Sequence, residues 1–69
     1  MPDLPEPDRR QLHALAHSGD RRAIRAEIVL AAAEPVPAPR LAARLGVPQR
    51  TVLRWVRRYL ADGITGLLG

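Results

Sequence analysis

The sequence predicts an all-α fold, a small bundle of three to four helices, on three observations. Apolar residues recur at three- and four-residue spacings in several segments, which is the period of an amphipathic helix. No segment alternates strictly between apolar and polar residues, and none repeats; strands and solenoids are thereby disfavoured. Proline and glycine cut the chain into short pieces, at Ser18-Gly19, Pro35–Pro39, Gly46–Pro48 and Gly63. A chain of 69 residues is expected to form one domain, which buries only about 60% of its unfolded surface. A core that small gains from a partner.

The elements follow in order. Residues 1–7 hold three prolines and two acids and read as a disordered tail. Its "PDLP" also matches a PxxP pattern for a polyproline-binding partner. The folded domain is expected over 8–69. Asp8 is placed to cap a first helix, with Gln11 as capping-box partner. That helix runs through "RRQLHALAH" and stops near Ser18-Gly19. His13 and His17 stand four apart and can face one metal. No third ligand has a matching spacing, so both read as ordinary histidines.

A second helix starts at Asp20 and runs through "RRAIRAEIVLAAA". Ile24, Ile28, Ala31 and Ala32 form its buried stripe. It ends at Glu34, because Pro35 disfavours helical geometry before itself. A third, short helix covers "PRLAARL", with Pro39 in the first turn, where proline is tolerated. Leu41, Ala42 and Leu45 are its inner side, and Gly46 ends it. Pro48 opens a fourth helix that runs to about Asp62 and stops at Gly63. "ITGLLG" remains as a short apolar tail.

Composition excludes several functions. The chain has no cysteine, which removes disulfides, thiol catalysis and zinc fingers. No apolar run approaches the roughly 20 residues that cross a membrane. "MPDLPEPDRR" lacks the basic start and apolar core of a secretion signal. A cytoplasmic, nucleoid-associated protein is the expectation. The net charge is +4, and all eleven basic residues are arginine. From Pro35 to Ala61 there are six arginines and no acid, giving +6; the remainder carries −2. Such asymmetry points to a polyanionic partner, nucleic acid first. An arginine-rich proteome accounts for arginine over lysine but not for the missing acids.

The third and fourth helices carry a specific constellation. Ala42 is small where two helices would cross closely. Gly46 follows four residues later to turn the chain, and Val47 plugs the turn. Val52 and Trp55, six and nine residues after the glycine, are spaced for burial. Five positions thus agree with a helix-turn-helix in kind and spacing. At about 100° per residue, Val52, Trp55, Val56 and Tyr59 share one arc of the fourth helix. Arg50, Arg54 and Arg57 cluster on the opposite side, with Arg58 at their edge. A cationic helix fits the major groove of B-DNA, where arginine pairs with guanine O6 and N7. Gln49, Arg50 and Arg54 stand early enough to reach base edges. Arg57, Arg58 and, on the preceding helix, Arg40 are assigned to phosphate. Trp55 can stack on a base but reads as core.

Residues 20–67 resemble the N-terminal DNA-binding region of bacterial insertion-sequence transposases related to the mariner superfamily. The likeness lies in "LAARLGVPQRTVLRW" and the closing "DGITGL". It implies a homeodomain-like or paired-like fold that binds terminal repeats. It also implies that Thr51 and Arg54 contact DNA while Val52, Trp55 and Tyr59 are core. Two departures stand out. Pro37 and Pro48 occupy positions where the family has hydroxyl caps, a loss of about 1 kcal/mol each. The seven acids form no constellation for the metal-dependent nuclease chemistry of that family. This chain alone is therefore expected not to transpose.

The leading expectation is a small sequence-specific duplex-DNA-binding protein. It would be a transcriptional regulator, a recombination accessory factor or the binding module of a transposase-like protein, with a homodimer allowed. The competing expectation is a helical module that docks an acidic partner protein. An enzyme is not expected, since no nucleophile–base pair, metal set or phosphate loop is legible. No cofactor or small-molecule ligand is expected either.

Overall fold

The computed structural model describes residues 3–69. Four helices follow one another: α1 (Glu6–Ala16), α2 (Arg22–Ala32), α3 (Ala38–Leu45) and α4 (Gln49–Asp62). A C-terminal 3₁₀ turn closes the chain at Gly63–Leu67. The described residues contain no strand, so the all-α expectation holds. None of their helices is long and apolar enough to cross a membrane. α1 packs on α2, and α4 lies against α2, α3 and the 3₁₀ turn. The core joins Leu12, Ala26, Ile28, Val29, Val52, Trp55, Tyr59 and Leu67.

The N-terminus departs from the expected tail over residues 1–7. Met1 and Pro2, and with them the start of the proline pattern, lie outside the described residues. Leu4 is buried in the core, and α1 already begins at Glu6. Prolines do not obstruct this start, because first-turn amides need no partner. Pro5 stands at the N-cap, and its carbonyl accepts the Arg9 amide at 2.9 Å. Glu6 and Asp8 then lie in the first turn, where negative charge favours the helix dipole. Asp8 is therefore not the cap. Its carboxylate instead accepts the Tyr59 hydroxyl at 2.5 Å, tying α1 to α4.

Asp20 does work as a helix starter. Its carboxylate accepts the Arg22 amide at 2.7 Å and pairs with the Arg22 guanidinium at 3.0 Å. The Arg22 hydrogen bonds hold the Asp20 carboxyl below the usual carboxylate range. α2 ends at Ala32, two residues before Glu34. Its buried face is Ala26, Ile28, Val29 and Ala32, while Ile24 and Ala31 are half-buried. The stripe is thus rotated toward Ala26 and Val29, because α2 touches α1, α3 and α4 at once.

α3 and α4 are joined by the turn that the glycine predicts. Gly46 is left-handed, at φ 72° and ψ 30°. Its amide donates to the Ala43 carbonyl at 3.3 Å, and the Val47 amide to the Ala42 carbonyl at 3.1 Å. This is the Schellman closure, which satisfies carbonyls that a helix end leaves free. Ala42 is buried and Val47 packs against the core. Pro37 and Pro48 both stand at N-caps, without a side-chain hydrogen bond. Their carbonyls accept the first helical amides: those of Arg40 and Leu41 for Pro37, of Thr51 and Val52 for Pro48.

Candidate nucleic-acid interface

α4 is sorted by face as its sequence requires. Val52, Trp55 and Tyr59 are buried and Val56 is half-buried; Arg50, Arg54, Arg57 and Arg58 are exposed. These four arginines, with Leu53 and Ala61, line one groove along the helix. Among the described residues, none of the four has a carboxylate within ion-pair distance. Arg40, in the first turn of α3, is likewise exposed and without such a pair. Arg44, the sixth arginine of the acid-free stretch, is held by Glu34 at 3.4 Å. A surface helix rich in one charge and short of counter-charges is built to meet the opposite charge elsewhere.

The seven residues expected at the site are not all gathered. Arg50, Arg54, Arg57 and Arg58 share the groove. Gln49 and Arg40 are exposed outside its lining, and Thr51 is half-buried. Arg58 is also partly committed within the molecule, since its Nε donates to the Gly66 carbonyl at 3.4 Å. His17, away from this face, donates Nδ1–H to the His13 carbonyl at 2.7 Å.

Trp55 organises one end of the basic face. Three guanidinium carbons surround its ring: Arg25 at 4.2 Å, Arg54 at 5.2 Å and Arg58 at 5.7 Å from the centroid. The negative face of the indole attracts each of them. Each charge lies within one Debye length, about 8 Å, of the ring centre, so an anion arriving there is attracted by all three. Arg25 belongs to α2 and was not foreseen here. The clue was its spacing: Arg25 is three residues before Ile28 and four before Val29, so it shares their inward face.

α4, whose one acid is the terminal Asp62, thus follows a glycine turn and packs through its aromatic face. The chain belongs to the homeodomain-like domain family. The match spans residues 20–68, from the start of α2 through the 3₁₀ turn. No curated protein and no solved structure matches the chain. A homeodomain-like domain points to DNA binding in general, and the exposed arginines of α4 agree with that in charge and place. α1 precedes the matched homeodomain-like region and braces it through Tyr59 and Asp8.

Proposed function

We propose that this protein binds double-stranded DNA sequence-specifically, inserting α4 into the major groove. The observation that carries the reading is the exposed face of α4, where four arginines stand with no carboxylate within ion-pair distance among the described residues. An α-helix fits the major groove, and arginine is the side chain best shaped for guanine O6 and N7. Arg50, Arg54 and Gln49 belong to the first two turns, the part of a recognition helix that meets bases. Arg57, Arg58 and Arg40 serve phosphates, and Thr51, by the resemblance to the transposase binding regions, contacts DNA beside Arg54. The protein acts by binding rather than by catalysis. Its setting is transcriptional control or recombination, and the likeness of "LAARLGVPQRTVLRW" to mariner-related transposase binding regions favours recombination. Its place of action would be the nucleoid.

Fluorescence anisotropy across a salt series tests this. Among the described residues Arg40, Arg57 and Arg58 make no ion pair, and three neutralised phosphates give a log–log slope of about −3. A flat salt dependence would overturn the reading in favour of protein docking. Selection from a random duplex library then defines the site, and two symmetric half-sites would report a homodimer.

A further inference from the structure

Exposed apolar side chains are common on small proteins, and exposure by itself assigns nothing. Position does. Of the exposed leucines Leu53, Leu60 and Leu68, Leu53 alone lies in the arginine groove of α4. It is 37% exposed. It stands three residues after Arg50 and four before Arg57, so all three share one ridge of the helix. Ala61, eight residues further on, is the groove's other apolar group, roughly 12 Å away along the axis. Any ligand meeting this face therefore finds apolar surface directly beside arginines.

The edges of base pairs in the major groove offer that combination. Guanine presents two acceptors for arginine, and thymine presents an apolar group, its 5-methyl. We infer that Leu53 is a specificity-determining residue that selects thymine beside an arginine-read guanine, by packing on the thymine 5-methyl. The inference rests on α4 entering the major groove as proposed above. Removing one methyl from water is worth about four-fold in affinity. The contact needs no backbone change, because Leu53 already stands free of the core.

Deoxyuridine lacks the thymine methyl and is otherwise the same base, so it isolates the contact. Each thymine of the duplex selected from a random library is replaced singly by deoxyuridine, and binding of the full chain is measured. One replacement should weaken binding about four-fold. Leu53→Ala should bind the thymine and deoxyuridine forms of that duplex equally, whereas Leu53→Met keeps the discrimination. Leu60→Ala, which trims an equally apolar leucine outside the groove, should also keep it. The inference is overturned if no replacement affects the parent chain, if the selected site lacks thymine, or if Leu53→Ala still discriminates. In those cases salt-dependent duplex binding survives, so the proposed function stands. Absence of duplex binding at low salt overturns both.

Discussion

The guanidinium of Arg25 on α2 lies 4.2 Å from the centre of the Trp55 ring on α4. The same group donates to the carbonyls of Leu67 and Gly69, at 2.9 and 2.8 Å. One side chain therefore fixes the indole from outside and holds the C-terminal turn over it. α4 is thus braced through its core aromatic, and the brace is cationic like the face beside it.

Arg25→Ala should open the Trp55 ring to water and release the turn. A stacked cation contributes about 0.5–2 kcal/mol, and hydrogen bonds from a charged donor about 1.5–3 kcal/mol. These overlap, so a loss of about 2–3 kcal/mol is expected. Trp55 is the single tryptophan, and its emission should shift to the red. Arg25→Lys keeps the charge without the planar stack and should recover only part of the loss. Unchanged emission and melting in Arg25→Ala would show that the brace does not form in solution.

The 3₁₀ turn supplies a second test. A Cβ on Gly66 would lie 2.5 Å from the Arg58 carbonyl oxygen and 3.2 Å from the Asp62 Cβ. The nearest obstacle is backbone, so the turn must move away and Leu67, which is fully buried, must move with it. Gly66→Ala should cost about 1–3 kcal/mol, the usual penalty of overpacking. Gly69→Ala places its Cβ 3.8 Å from the Arg58 guanidinium and should be neutral within about 0.5 kcal/mol. Urea midpoints compare the two. Equal midpoints would mean that the turn is not docked.

What could be read from the chain was local. Ala42, Gly46, Val47, Val52 and Trp55 stand within fourteen residues, and their spacing encodes the turn and the packing across it. The arginine face followed from helical period alone. Burial near the ends was not legible, since Leu4 and Leu67 sit in short proline- or glycine-bounded segments that carry no period. Asp8 has every local mark of a cap, yet its partner Tyr59 is 51 residues away. Arg25 was grouped by charge with the more acidic part of the sequence, and only folding sets it against Trp55. Each miss is a contact between elements distant in sequence, which periodicity does not encode.

Tyr59 makes the clasp between α1 and α4 measurable. Burial, and then the Asp8 carboxylate that accepts its hydroxyl, push the phenol up to about 12. Below the ordinary tyrosine value of about 10, both folded and unfolded chains keep the proton. Between about 10 and 12 the unfolded chain releases it while the folded chain holds it. Stability should therefore fall across that window and level off above it. Tyr59 is the single tyrosine, so tyrosinate absorbance reads it directly. Its midpoint should lie near 12 in the native protein, and lower in Asp8→Asn, though still above 10 because burial is the larger cause. A native midpoint near 10 would show that the hydroxyl is open to water.

The arginines of α4 should divide their labour by position and by prior commitment. Arg54 is exposed in the second turn and lines the groove, and among the described residues it makes no side-chain hydrogen bond to the protein, unlike Arg58. Arg58 stands a turn later and already donates to the Gly66 carbonyl. A group tethered to the protein's own backbone suits a fixed phosphate better than a variable base edge. Arg54→Ala should relax preference at one or two base pairs, by about 1–3 kcal/mol for a lost bidentate guanine contact. Arg58→Ala should weaken all sequences alike and reduce the magnitude of the salt slope by about one. It should also lower the melting temperature, because the turn loses an anchor. Competition of each variant between the selected site and a scrambled one separates the roles. If Arg54→Ala loses affinity equally for both while Arg58→Ala loses discrimination, the helix enters the groove by its C-terminal half. Arg58 must then leave the Gly66 carbonyl to reach a base.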